Sequence, residues 1–282
     1  MRATGLIALA VWLLGAAGCA RLGPLSPLAP LERAALYHPA EYPIGDWFPE
    51  DLEYEDAWFR AADNVRLHGW YAPHDEPRGV ALCLHGNAGN ITHRAAMLRT
   101  LNGLGLSTLV FDYRGYGRSQ GKPSEHGILQ DARAARAWLA ERAGVVERDV
   151  VLIGGSLGGG VAVDLAARDG ARGLVLSSTF TSLPDVGAHH LPLLPTGLLM
   201  TNRLDSLSLI KQYHGPLLQY HGEADTVVPY ELGRELFDAA PGPKRFVSQE
   251  GAGHNDDLSA EFFASLDAFL DSLPPEEQPT AG

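Results

Sequence analysis

Cysteine is nearly absent. The 282 residues carry only Cys19 and Cys83, too few for the disulfide network that staples a small secreted domain. Basic clusters are missing as well. With a formal net charge of -12 and no run of Lys and Arg, the chain lacks what binding to phosphate backbones requires, which excludes nucleic acid as a partner. No G-x-x-x-x-G-K-[ST] spacing surrounds Lys122, so a Walker-type phosphate loop is excluded too. There is no internal repeat and no mid-chain linker, which leaves one large α/β domain or two small ones. What is present is an ordinary globular balance, 45% hydrophobic and 20% charged, enough for a sizeable core.

The N-terminus reads differently from the rest. Arg2 precedes an apolar run at residues 6–14, and the small residues GAAGC lead to Cys19. That run is too short to cross a bilayer comfortably as a helix, and its layout is that of a secretory signal. LLGAAGC resembles the bacterial lipobox, whose cysteine is lipidated and becomes the new N-terminus; Ala16 stands where that pattern most often has Leu. The resemblance implies a signal peptide over residues 1–18, a lipidated Cys19 and attachment to a cell-envelope membrane. The alternatives are an ordinary signal peptide cleaved near Ala20, giving a periplasmic or secreted protein, and an uncleaved anchor. With Cys19 acylated no disulfide forms, and Cys83, inside a predicted strand, is a small buried core residue. The proline-spaced RLGPLSPLAP reads as an extended tether within an N-terminal extension over residues 19–50. The last ten residues, LPPEEQPTAG, read as a disordered tail.

Residues 53–60 and 65–71 alternate apolar and polar side chains around ADN, which predicts an antiparallel hairpin. GVALCL at residues 79–84 is continuously apolar and therefore a buried strand. Strands and helices then alternate: helix 92–103, strand 106–111, helix 125–143, strand 150–153, helix 157–168, strand 173–177. After an interruption at residues 180–212 come strand 217–220, helix 230–240, strand 245–248 and helix 257–272. Repeated βα units predict a mostly parallel sheet with helices on both faces. Pro192 and Pro195 forbid a long helix in the interruption, which therefore reads as a short cap on a domain spanning residues 51–272. Residues 191–200 are nearly all apolar, and these leucines, Leu194 and Leu198 among them, either pack the cap onto the body or line an acyl pocket or touch the lipid surface.

The chemistry sits in VLIGGSLGGG. Gly154-Gly155-Ser156-Leu157-Gly158 fits G-x-S-x-G between a predicted strand and a predicted helix, where a sharp turn pushes the serine hydroxyl out of the sheet. A serine is a weak nucleophile until a base takes its proton and an acid orients that base. Asp225 follows strand 217–220, and His254 follows strand 245–248, in the order acid then histidine. Both lie at strand carboxyl ends, where open α/β sheets carry ligands. His221 competes for the base role but precedes Asp225 and breaks the order. Asp256 and Asp257 follow the histidine too closely to orient it and read as the start of the last helix. Two backbone N–H groups must meet the developing oxyanion. Leu157 supplies one, and Asn87 in HGNAGN the other, with Ala88 as the substitute; His85, at a strand end beside Gly86, reads as structural.

Together LHGNAGN, FDYRGYGRSQGKPSE, IGGSLGGG, HGEADTVVP and GAGHND resemble the α/β-hydrolase superfamily, in its abhydrolase branch of depalmitoylase- and lysophospholipase-like serine hydrolases. The match runs from about Ala57 to Leu270. It implies an eight-stranded sheet, no metal and no organic cofactor, with Asp112, Arg114 and Gly115 bracing loops rather than reacting. The function expected is cleavage of small-molecule or lipid acyl esters or thioesters. A serine peptidase of the same fold and a catalytically silent envelope binding protein are the competing readings.

Overall fold

The computed structural model of the protein describes residues 29–276. The signal segment over residues 1–18, Cys19 and the end of the tail lie outside the described residues. Helix α1 (Ala29–Leu36) leads into a two-residue strand β1 (His38–Pro39). The predicted hairpin forms as β2 (Glu55–Arg60) and β3 (Arg66–Ala72), followed by β4 (Gly79–Leu84) and the two-residue β5 (Ala88–Gly89). Helix α2 (Ala95–Gly103), β6 (Leu106–Asp112), α3 (Glu125–Ala143), β7 (Val151–Gly155), α4 (Leu157–Asp169) and β8 (Gly173–Ser177) complete the first half. Three short helices, α5 (Leu183–His190), α6 (Thr196–Leu199) and α7 (Ser206–Ile210), fill the interruption; then come β9 (Leu217–Gly222), α8 (Tyr230–Ala239), β10 (Lys244–Gln249) and α9 (Ala260–Asp271).

The eight long strands form one sheet in the order β10-β9-β8-β7-β4-β6-β3-β2. From β10 to β6 every pair is parallel; β3 alone runs against the others, pairing antiparallel with β6 on one side and β2 on the other. Every residue of β4 and β6 is buried, which is why GVALCL of β4 reads as a continuous apolar run. Along β4, Val80, Leu82 and Leu84 face α3, α4 and α8, while Ala81 and Cys83 face α2 and α9, the two-residue alternation of a pleated strand. On α3 the predicted stripe forms: Ile128, Ala132, Ala135 and Leu139 are buried, with Leu129 and Trp138 packed beside them. Ser124 caps its start by accepting from Gly127 N, and Gly144 ends it in the left-handed region at φ 72°.

Four stretches differ from expectation. The helix expected from residue 92 begins as a 3-10 turn at Ile91–Arg94, because the Asn90 side chain accepts from Thr92 N and donates to Ala40 O and Ile44 O, fixing the entry backbone. The last helix starts at Ala260 rather than at Asp257, since Ser259 is the residue whose side chain accepts from Phe262 N. The N-terminal extension over residues 19–50 is structured from Ala29 onward, and Tyr37 and Trp47 within it are buried. At the other end the tail is held as far as Glu276, where Arg172 donates to Pro274 O and pairs with Glu276. Among the described residues no helix is long and apolar enough to cross a membrane.

Candidate active site

The turn from β7 into α4 carries Ser156 at φ 51° and ψ -120°. A side chain held at positive φ costs roughly 1–3 kcal/mol, and the surroundings hold it there. Ser156 N donates to Ser177 O at 2.9 Å, and Thr179 Oγ1 donates to Ser156 O at 3.0 Å. The helix can start this close to β4 only because Gly158 has no side chain; a Cβ there would stand 1.9 Å from Leu84 O.

Asp225 and His254 reach the same place from the ends of β9 and β10. His254 Nε2 lies 3.1 Å from Ser156 Oγ, and His254 Nδ1 lies 2.7 Å from Asp225 Oδ2. Asp225 Oδ1 accepts from Val227 N and Val228 N, each at 2.8 Å. Burial by itself raises the Asp225 pKa, but the N–H donors from His221, His254 and Val228 outweigh it and hold the carboxyl well below the usual range. An ionised Asp225 has no proton to give, so His254 Nδ1–H is the donor between them. Nε2 is then left as the acceptor that faces the serine hydroxyl.

The loop after β4 abuts the serine: a Cβ on Gly86 would stand 3.7 Å from Ser156 Cβ. Asn87 is braced on three sides. Its Nδ2 donates to Leu36 O at 2.9 Å, and its carbonyl accepts from His38 N at 2.9 Å and from Tyr116 Oη at 2.7 Å. Ala88 pairs with His38 in the small β1–β5 ladder. Leu157 opens α4, where helix amides have no partner within the helix. The arm over residues 29–50 is therefore part of the site's support, and nothing in its sequence period announced this. Tyr116 in RGYG was the available signal, a tyrosine in a turn beside the strand end.

Other expected residues fall as follows. Asp112 is fully buried and Oδ1 accepts from Ile91 N; burial pushes its pKa up to about 8. Arg114 grips Asp131 through its amide and guanidinium and reaches Asp63 as well, tying the loop that carries Gly115 to α3. His85 donates from Nδ1 to Gly86 O, and burial lowers its pKa to about 3, so it stands as a structural imidazole. Burial likewise pushes the Cys83 thiol up to about 12, which removes it as a nucleophile. Asp256 accepts from Gly253 N, stiffening the turn before His254 rather than starting a helix. Leu194 and Leu198 lie on the cap's outer face, 46% and 62% exposed, beside Leu193 at 96%. Among the described residues no group of three or more His, Cys, Asp or Glu is arranged to hold a metal ion.

The family described as serine aminopeptidase, S33, matches residues 75–209, a stretch that includes Ser156 and stops before Asp225. An uncharacterized protein of Mycobacterium tuberculosis is 41% identical over 239 residues, covering 84% of this chain and 85% of its own. The lysophosphatidylserine lipase ABHD12 of Danio rerio is 36% identical over 185 residues, 57% of this chain and 47% of that protein. The chain belongs to the α/β-hydrolase superfamily. The esterase Pf2001 of Pyrococcus furiosus shares this α/β-hydrolase fold at a TM-score of 0.69, with 23% identity over 84% of this chain and 99% of its own. The superfamily membership makes the protein a hydrolase of the α/β type, on the eight-stranded sheet that the motifs implied.

Proposed function

We propose that the protein is a serine hydrolase that cleaves acyl esters or thioesters through an acyl-Ser156 intermediate. The observation that carries this reading is the continuous hydrogen-bonded chain from Ser156 Oγ through His254 to Asp225 Oδ2, set at a strained strand-to-helix turn. His254 Nε2 takes the hydroxyl proton as Oγ bonds to the acyl carbon. The carbonyl oxygen becomes an oxyanion held by the amides of Asn87 and Leu157. His254 then passes its proton to the departing alcohol or thiol. Water, deprotonated by the same imidazole, releases the carboxylic acid and restores Ser156. Asp225 keeps the imidazole in one tautomer and stabilises its cation.

The acyl-lipid class of substrate draws support from the lipase likeness and from the leucines that the cap exposes. A serine peptidase is the second reading, favoured by the description of the matching family. Activity-based labelling with a fluorophosphonate tests the nucleophile. Turnover of p-nitrophenyl esters against aminoacyl anilides then separates the two readings, and a preference for anilides would replace the esterase assignment.

Attachment to the cell-envelope membrane through lipidated Cys19 belongs to the same proposal and rests on LLGAAGC. One acyl chain binds membranes only marginally, so stable attachment needs the several chains of a bacterial lipoprotein. Cys19→Ser is expected to move the protein from the detergent phase to the aqueous phase in phase partitioning. Wild-type protein found in the aqueous phase would remove the anchor.

A further inference from the structure

His221 lies on β9, four residues before Asp225, with no exposed surface. Its Nε2 is 3.0 Å from Val228 O and 3.3 Å from Asp225 Oδ2. Both neighbours accept, so Nε2 carries the ring proton and shares it between them. The opposite atom, Nδ1, is buried and has no hydrogen-bond partner among the described residues. It faces Gly233 of α8, where a Cβ would come within 2.0 Å of it. The chain thus gives up a side chain on α8 and leaves a ring nitrogen unpaired to keep an imidazole here. Burying an unpaired polar atom has a cost that an aliphatic side chain avoids, so what offsets it must lie on the Nε2 side.

We infer that His221 is a positioning residue whose Nε2–H pins Asp225 Oδ2 in the orientation that meets His254. The two oxygens of Asp225 are held differently. Oδ1 has two backbone amides from its own loop. Oδ2 has only side-chain partners, and one of them is the imidazole that must move its proton during turnover. His221 is the partner that stays fixed, through Val228 O and the close wall at Gly233. The titratable groups facing it are Asp225 and, from α8, Tyr230, whose ring centre lies 5.8 Å away edge-on; Ser248 of β10 is its neighbour in register. Removing its N–H leaves more of the Oδ2 charge to the His254 cation. The acidic limb of the rate profile then moves to higher pH, while a freer carboxylate slows the step.

The inference rests on the proposed roles of Ser156, His254 and Asp225, so Ser156→Ala is measured beside it. The full chain is prepared as His221→Phe, which keeps a flat ring without the donor, and as His221→Gln, whose amide N–H reaches toward Oδ2. Each is assayed with a short p-nitrophenyl ester across pH, and the low-field proton signal of the His254–Asp225 N–H is recorded. His221→Phe is expected to lower kcat by about tenfold or more with KM changed by less than about twofold. It also moves the acidic limb upward and displaces the low-field signal, and His221→Gln restores all three. A Phe variant with wild-type kcat and pH limb, or a Gln variant as impaired as Phe, overturns the inference. If the Phe variant does not fold, His221→Asn, whose amide is too short to reach Oδ2, takes its place against Gln. An active Ser156→Ala overturns the hydrolase reading underneath; an inactive one beside unaffected His221 variants overturns this inference alone.

Discussion

Two stretches at the carboxyl edge of the sheet lack any helix or strand period in the sequence, and they are built in opposite ways. The arm over residues 29–50 commits its backbone to the site loops: Leu36 O, His38 N, Ala40 N and Tyr42 N all bond to residues between Asn87 and Gly117. The cap over residues 180–212 is fastened at its ends and free at its tip. Thr201 and Asn202 donate to Glu32 of the arm, and His190 donates to Val227 O. Between them Leu191, Leu193, Leu194 and Leu198 face outward. Irregular sequence therefore serves two purposes here. The arm fixes the loop that carries Asn87, whereas the cap presents apolar surface.

Ser156→Ala sets the floor for that comparison. Turnover is expected to fall by about 10⁴-fold or more, leaving on the order of 10³-fold over water from the oxyanion donors alone. The folded protein survives, as an unchanged thermal midpoint will show. Asn87→Ala tests the arm. Losing the bond to Leu36 O frees the loop, and kcat is expected to drop about tenfold, a part of the 10²–10³ that losing an oxyanion donor costs. The loss should be equal for acetate and long-chain esters, because the oxyanion is common to both. The cap is tested by changing Leu194 and Leu198 together to Ser. If those side chains meet the acyl chain, long-chain esters lose several-fold in kcat/KM, at about 0.8 kcal/mol per methylene no longer buried. Acetate esters then change little, and the midpoint stays put because both residues are exposed. A chain-length effect from Asn87→Ala, or a uniform loss from the leucine pair, breaks the division between the two regions.

The smallest effect concerns pH and stability, and its sign differs on the two sides. Asp225, bonded to His254 beside the cap, has a lowered folded pKa. Its stabilisation is present above the ordinary carboxylate value of about 3.9 and fades as pH falls below it. Asp112, beneath the arm's side, is raised to about 8. Its effect is the reverse: full stability below about 3.9, declining as pH rises toward and through the folded value. Asp112→Asn is therefore expected to flatten the decline in thermal midpoint between about pH 4 and about pH 8, and Asp225→Asn the decline at the acid end. Identical midpoint profiles in both variants would merge the two sides into one.

How much of this was legible depended on where the physical constraint lies along the chain. Strand β4 was readable because burial on both faces leaves the uninterrupted apolar run GVALCL. The meeting of Ser156, Asp225 and His254 was readable because parallel topology puts every strand's carboxyl end on one edge, so order along the chain becomes position in space. The arm was not, since its bonds run from backbone atoms to loops 46 and more residues away, and backbone atoms carry no residue code. The 3-10 entry at Ile91–Arg94 was hidden for the same reason, set by Asn90 reaching Ala40 and Ile44. His221 was visible, four residues before the acid, but chain order answers only which residue is the base.

The arm's contacts also have a consequence for the order in which the molecule is made. Glu32 and its partner Asn202 are 170 residues apart, and closing so long a loop comes late because its entropy must be met before the contact returns anything. The arm, made before the sheet, is thus among the last segments to dock. A nascent chain that has emerged only as far as β8 already has its central strands and Ser156, yet Glu32 has nothing to hold. Docking of the arm therefore waits for the chain beyond β8 that carries Asn202.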